Sequence, residues 1–465
     1  MPSRLRPSAQ RLGASFRDPS GFLFKRKGKL YRQVNQTYRQ NYELLKRSGL
    51  YKELTRAGLL IAHKEVIEKP YDPKIAYKVL LPEQIAFISY PYEWSFSQFK
   101  DAALLTLELQ KRALARGLWL KDASTKNIQF DEGRPILIDS LSFEAAPEGQ
   151  PWVAYRQFCQ HFLAPLALMA HKDVRLSQFL RVYVEGIPLD LASRLLPGRT
   201  RLNLGLATHI HLHAAAEKRY AGQAVQSQPG RGISRTALLG LTDHLERTVR
   251  ALKWQPSETA WGEYYGETNY SSKAEAHKAE VVRQLIARTK AKTLWDLGAN
   301  TGRYSRLASQ RGIFTLAADA DPAAVELNYL QTKKKRDEHL LPLLLDLTNP
   351  SAALGWANQE HESLLARGPA DAVMALALIH HLAIANNMPL SRLAEFFSQL
   401  GQWLLIEFVP KSDSQVQLLL AARKDIFSDY HLDGFKAAFK PFYRILAEHP
   451  IADSERRLFL MKRNG

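Results

Sequence analysis

The stretch KTLWDLGANTGRYSRLASQ, residues 292–310, constrains the fold of this chain more than any other. An apolar, strand-forming run enters the turn Asp296-Leu297-Gly298-Ala299-Asn300-Thr301-Gly302 and leaves it as an amphipathic helix. Glycines tolerate positive φ and let a ligand approach the backbone, so a cofactor can lie across the carboxyl end of the strand. The glycine spacing is not G-x-G-x-x-G, and the turn lacks the Lys of a phosphate-binding loop. Neither NAD nor ATP is therefore favoured at this turn.

Two further strands continue the pattern. GIFTLAADADPAAVEL carries Asp319 at its strand end, where a carboxylate can accept two hydrogen bonds from a ribose, and LLPLLLDLTNP carries Asp346 beside Leu347, placed to meet an adenine amine. Singly, each acid serves equally well as a helix cap or turn residue. Together, at three consecutive strand ends, Asp296, Asp319 and Asp346 form a coherent adenosine site. Strands alternate with helices throughout this half, which predicts a doubly wound parallel sheet.

On these residues, the region from about 255 to 465 resembles class I S-adenosylmethionine-dependent methyltransferases. ADAVMALALIHHLAI and GQWLLIEFVP match the fourth and fifth strands, and YRILAEHPIADSERRLFLMKR matches a terminal hairpin that supplies an antiparallel last strand. The resemblance implies a Rossmann-like α/β domain that binds S-adenosylmethionine through Asp296, Gly298, Asn300, Gly302, Asp319, Asp346 and Leu347. Asp296 suits the cationic methionine end. The lead-in WGEYYGETNYSSKAEAHKAEVVRQLI resembles the helices that lid the cofactor in that family, with Tyr264, Tyr265 and Tyr270 as lid or packing aromatics.

Methyl transfer is an in-line displacement, so the protein has mainly to position a nucleophile and take its proton. No Asn/Asp-Pro-Pro-aromatic tetrad follows the fourth strand, which argues against adenine and glutamine amino groups as acceptors. His380-His381 stands there instead. One of these imidazoles can deprotonate a hydroxyl, or the pair can pack and cap a helix. Glu407, at the end of the fifth strand, is a third candidate for the acceptor side.

Residues 20–220 form a second domain. Short strand-like stretches (GFLFKRKGKLYRQV, KIAYKVLL, QIAFISY) precede a helical pattern from Ser97 to about Gly117, and LKDASTKNIQFDEGRPILIDSLSFE follows. This order resembles protein-kinase-like phosphotransferases, an α+β fold, with Asp122 at the catalytic base and Asn127 and Asp139 at the metal ligands. The resemblance implies a site for ATP and magnesium. Leu120-Lys121 stands where the family has His-Arg, Ser140-Leu141 where it has Phe-Gly, and no Gly-rich loop precedes. Arg32 or Lys29 is the nearest stand-in for the phosphate-binding Lys, with Glu43 available to pair with either. The whole arrangement resembles bacterial nodulation-type methyltransferases.

The segment AGQAVQSQPGRGISR marks a linker, so residues 221–254 are taken as linker and connecting helix. The formal charge of +18 is concentrated near the start, where residues 1–50 hold twelve Lys/Arg against Asp18 and Glu43. Residues 1–19 are taken as a basic, disordered arm that docks on a polyanion or simply solubilises the chain. With 46% hydrophobic and 24% charged residues, disorder cannot dominate the remainder. No apolar run is long enough to span a bilayer, and the single Cys159 fits a reducing compartment, which suggests the cytoplasm. The leading expectation is methylation of an O or N nucleophile on a small molecule, glycan or glycolipid precursor. RNA or protein methylation recruited by the arm, with nucleic acid as partner, and a nucleotide-binding scaffold without turnover are the alternatives.

Overall fold

The computed structural model describes residues 9–220, 232–256, 271–421 and 423–465. Two compact units divide the chain: Met1–Gln255 with Ala353–His361, and Pro256–Ala352 with Glu362–Gly465. No described helix is long and apolar enough to cross a membrane.

Unit 1 begins with strands β1 (Gln10–Arg11), β2 (Gly21–Arg26), β3 (Lys29–Asn35), β4 (His63–Glu65) and β5 (Ala76–Pro82). They form an antiparallel sheet in the order β1-β2-β3-β5-β4. Two helices, α1 (Arg39–Arg47) and α2 (Leu50–Arg56), cross between β3 and β4. Phe24, Tyr31 and Val79 fill one face of the sheet, and Val34, Tyr38, Tyr42, Leu80 and Leu141 fill the other. Residues 9–19, the latter part of the expected basic arm, are among the described residues. Gln10 and Arg11 pair with Lys25 and Phe24, and the Arg11 guanidinium lies 4.0 Å over the Phe22 ring, so local contacts fix the segment.

The stretch QIAFISY is not a strand. Its backbone is claimed by side chains instead: Gln129 accepts from Ser89 N, and Glu93 accepts from Tyr90 N. The helix α3 (Phe96–Ala115) starts at a Ser95/Gln98 capping box. Beyond it come β6 (Leu118–Leu120), the hairpin of β7 (Ile128–Asp131) and β8 (Arg134–Leu137), and β9 (Phe143–Ala145), which pairs with β6. The remainder of the unit is helical, with π-helical turns at Cys159–Leu163 and Ala207–Leu212. The helix Arg235–Ala251, capped by Ser234, closes it. Residues 221–231 of the expected linker lie outside the described residues.

In unit 2, β10 (Thr293–Leu297), β11 (Phe314–Asp319), β12 (Leu340–Leu344), β13 (Ala370–Ala375) and β14 (Gly401–Phe408) pair in parallel. The last hairpin, β15 (Tyr443–Pro450) and β16 (Arg457–Arg463), joins β14 antiparallel through β16. The order is β12-β11-β10-β13-β14-β16-β15. β10 lies at the reversal of strand order, the position where doubly wound sheets bind ligands. The helix Ser272–Thr289, capped by Ser271, buries Val281, Val282, Leu285 and Ile286 against Leu294, Met374, Leu405 and Leu458. His380 and His381 lie beyond β13, where a π-helical turn, His381–Ala385, begins.

Several histidines of unit 1 are held neutral by burial. His63, His161 and His209 are each lowered to about 4, chiefly by desolvation. Because the unfolded imidazole protonates near 6.5, their stabilisation is complete above about pH 6.5 and is lost as pH falls toward 4. The melting temperature of the chain is expected to drop across that window, before most carboxylates titrate. A melting temperature that stays flat from pH 6.5 to 4.5 would show that these rings carry no such linkage.

Candidate active site

One cavity of unit 2 opens at the carboxyl ends of β10, β11, β12 and β13. Asp296, Gly298, Asn300, Asp319, Asp346, Leu347 and His381 line it, together with Glu275, Lys278, Tyr304, Leu378 and Asn386.

The turn after β10 shapes its floor. Gly298 and Gly302 have φ of +77° and +78°, and Asn300 is also left-handed at +49°. A Cβ on Gly298 would meet the Leu378 side chain at 3.1 Å. Gly302 does not line the cavity. A Cβ there would strike Asn328 and Arg306, the latter a buried arginine that donates to Thr301 O and to Asn328 O and Oδ1. The second glycine thus makes room for a side-chain clamp rather than for a ligand.

Asp319 accepts Asn300 N at 2.7 Å on one oxygen and Asp321 N at 2.9 Å on the other. Each oxygen retains acceptor capacity, so the group fits a pair of ribose hydroxyls. Burial pushes its pKa up. Asp296, 2% exposed, accepts from Ser305 Oγ at 2.6 Å. Burial is the main cause that raises its pKa to about 7, with Asp319 adding to the rise while Ser305 and Lys278 oppose it. A carboxylate pair short of cations fits a cofactor that brings its own positive charge. Asp346 is exposed and holds Thr348 through its N–H and hydroxyl.

On the acceptor side the three candidates separate. His381 lines the cavity, half-buried, with its pKa lowered to about 4 by burial and by Arg456. His380 does not line it. Its ring is fully buried, 4.1 Å from that of His381, and its two nitrogens have no hydrogen-bond partner among the described residues. Consecutive helical side chains diverge by about 100°, which sends the two rings to different surroundings. Glu407 is also absent from the lining. It is fully buried, accepts from Lys278 at 2.6 Å and from Ala377 N at 2.8 Å, and lies 3.7 Å from Arg456. An acid held by two buried cations is structural. Tyr264, Tyr265 and Tyr270 lie outside the described residues.

Lys278, Glu275 and Asn386 were missed by the sequence reading. The first two sit on a helix upstream of β10 with no motif to mark them, and Asn386 follows a π-helical turn that sequence periodicity does not announce.

In unit 1, Asn127 and Asp139 converge on one hydroxyl: Asn127 Nδ2 donates to Ser142 Oγ at 3.3 Å, and Ser142 Oγ donates to Asp139 Oδ2 at 2.9 Å. Asp122 accepts from Ser124 N at 3.0 Å. Asp139 also takes Leu141 N at 2.8 Å and the Arg32 guanidinium at 2.8 Å. With an arginine where a cation would sit, these residues do not fit magnesium. Among the described residues no group of three or more His, Cys, Asp or Glu is placed to hold a metal. Arg32, not Lys29, occupies the interior, while Glu43 accepts from the Tyr77 hydroxyl.

The strand order with its antiparallel end, the acid-flanked glycine turn and the strand-end acids give unit 2 the Rossmann-like arrangement expected of class I S-adenosylmethionine-dependent methyltransferases. It follows an α+β unit built on a five-stranded antiparallel sheet. Nodulation protein NoeA of Rhizobium meliloti (strain 1021) is 34% identical over 469 residues, covering 98% of this chain and 97% of that protein. The chain belongs to the family of that nodulation protein. No protein-family model matches it. Solved structures similar in part include magnesium protoporphyrin IX methyltransferase from Synechocystis PCC 6803, 15% identical over 44% of this chain and 93% of that one, TM-score 0.31. N-methyltransferase NodS from Bradyrhizobium japonicum WM9 is 11% identical over 42% and 98%, TM-score 0.32. The bifunctional kinase-methyltransferase WbdD is 13% identical over 44% of this chain and 42% of its own, TM-score 0.30.

Two outcomes are expected at this site. Replacing Asp319 with Ala in a folded variant should weaken S-adenosylmethionine binding by about a hundredfold or more, from loss of about 3 kcal/mol of charge-assisted bonds. Unchanged affinity by calorimetry would remove the ribose assignment. For wild type, cofactor binding should release a proton from Asp296 at pH 6, so affinity should fall about tenfold per pH unit below 7. Proton uptake or release is read from binding enthalpies in buffers of different ionisation heat; no buffer dependence at pH 6 sinks the linkage.

Proposed function

We propose that this protein transfers the methyl group of S-adenosylmethionine to an oxygen or nitrogen nucleophile on a small molecule, glycan or glycolipid precursor. The observation that carries this reading is the presence of His381 in the same cavity as Asp296, Asp319, Asp346 and Leu347. When bound, the cofactor supplies a sulfonium methyl group that a nucleophile attacks in line. Asp319 would hold the ribose, Asp346 with Leu347 the adenine, and Asp296 the cationic end.

His381 supplies the proton chemistry. With its pKa lowered to about 4, it is neutral throughout the physiological range and presents a lone pair. An imidazole of such low basicity deprotonates a free hydroxyl poorly. As the oxygen–carbon bond forms, however, the attacking hydroxyl becomes strongly acidic, and a weak base suffices to take its proton. Asn386, on the same wall, offers an amide to orient the acceptor. A cytoplasmic location rests on the buried, unpaired thiol of Cys159.

With an acceptor identified by screening cell extract with labelled S-adenosylmethionine, His381→Ala should lower kcat about a hundredfold while leaving cofactor affinity within a few-fold of wild type. Its rate should also lose the decline that wild type shows as pH falls toward 4. Equal turnover of variant and wild type returns His381 to a packing role.

A further inference from the structure

In the helical part of unit 1, three segments meet around one imidazole. His211 lies in the π-helical turn Ala207–Leu212, Ser193 in the helix Leu189–Leu195, and Thr200 in the short helix Gly198–Leu202. Ser193 Oγ is 2.8 Å from His211 Nδ1, and Thr200 Oγ1 is 2.9 Å from His211 Nε2. Thr200 settles the tautomer. Its one hydroxyl proton goes to Pro197 O at 2.6 Å, an atom that can only accept, so toward His211 the same hydroxyl has to accept. Nε2 therefore carries the ring proton, Nδ1 presents the lone pair, and Ser193 donates to it. A hydroxyl, a base within hydrogen-bond reach and a third group that orients the base are the parts of an activated nucleophile.

We propose that Ser193 is a nucleophile that accepts an acyl group from an activated ester or thioester, with His211 as its base and Thr200 as the residue that positions the base. Ser193 Oγ attacks the acyl carbon, and the bond from that carbon to the leaving oxygen or sulfur breaks. The Ser193 proton passes through His211 Nδ1 to the leaving group, so the products are an ester on Ser193 and a free alcohol or thiol. Access separates this pair from a sealed one. Thr125 and His161, 3.1 Å apart, are both buried, whereas Ser193 is only half-buried. Burial and the Arg201 charge lower the His211 pKa, so the ring is neutral near pH 7 and fit to take a proton. Arg201 is exposed and has no ion pair among the described residues, which leaves its charge available to the oxygen that turns negative as the acyl carbon is attacked. The acyl class follows from the surface beside these residues. Leu202 and Leu204, just after Thr200, are 90% and 74% exposed, and Leu212, just after His211, is 65% exposed, so an apolar chain gains by covering them.

The test uses the full chain with p-nitrophenyl butyrate and p-nitrophenyl acetate as probes, reading nitrophenolate release and the mass of the peptide that carries Ser193. Wild type should release a burst of nitrophenolate and gain one butyryl group on Ser193, and Ser193→Ala should lose both. His211→Gln should slow the burst about a hundredfold, the usual scale for loss of a positioned base. Thr200→Val should slow it about tenfold, with Thr200→Ser restoring the rate, since the serine keeps the hydroxyl that fixes the tautomer. This pair also serves if the His211 variant fails to fold. Butyrate should react about fivefold faster than acetate, because two more methylene groups leave water. A label on any other residue, a burst that survives in Ser193→Ala, a rate in both His211→Gln and Thr200→Val within twofold of wild type, or acetate reacting as fast as butyrate overturns the proposal. S-adenosylmethionine affinity of Ser193→Ala is the control and should equal that of wild type, so failure here is separable from failure of the methyltransferase reading.

Discussion

The buried carboxylate of Glu407 ties together the segments that border the cavity of unit 2. It ends β14, takes Lys278 from the helix upstream of β10, and takes the backbone N–H of Ala377, a non-glycine residue in the left-handed region at φ +48°. Arg456, 2% exposed, lies beside it and reaches Asp413 beyond β14 with bonds of 2.7 and 3.0 Å. The helix Ser272–Thr289, the end of β14, the turn after β13 and the residue before β16 are thus joined by one charge network. Burying four ions is costly, and a well-packed apolar core of equal volume is often as stable or more so. Removing one member is a different matter, since it strands a charge and typically costs about 3–5 kcal/mol. What the network provides is a fixed position for the turn that leads from Ala377 to His381.

That network also sets the electrostatics of the cavity. Arg456 helps to depress His381, and Lys278 partly offsets the rise of Asp296. The cations are consumed by Glu407 and Asp413, so the cavity wall itself is left with Asp296 and Asp319 partly unneutralised. Desolvation then raises both acids, a state that a positively charged ligand relieves more than any internal group does. The charge left on the cavity wall follows from how the surrounding cations are spent.

The sequence made the sheet legible because parallel strands buried on both faces read as continuous apolar runs, and because Asp296, Asp319 and Asp346 fall at their ends. The glycine turn was legible for the same local reason, although Gly302 serves Arg306 and Asn328 rather than a ligand. What escaped was set by tertiary contact. Glu407 ends its strand as an acceptor-side acid would, and only Lys278, distant in sequence, makes it structural. His380 and His381 are indistinguishable as neighbours until a π-helical turn sends one ring to the cavity and the other inside. In unit 1, QIAFISY has the composition of a strand but loses its ladder to the side chains of Gln129 and Glu93. Residues 9–19 read as a charged tail because nothing in their composition reveals the Phe22 ring under Arg11 or the Arg32 guanidinium beside Asp18.

Carboxylates at strand ends and loops do opposite work in the two units, and the cations around them decide which. Asp139 ends the hairpin region of unit 1 at a position where a kinase-like fold holds a metal, yet Arg32 has taken the place of that charge. An arginine differs from a metal ion in two respects: it cannot leave, and its planar fork selects the geometry of the anion it meets. Asp319 and Asp296, left without a dedicated arginine, remain receptive to a positive ligand. The same residue type thus lines an open cavity in one unit and closes on an internal cation in the other.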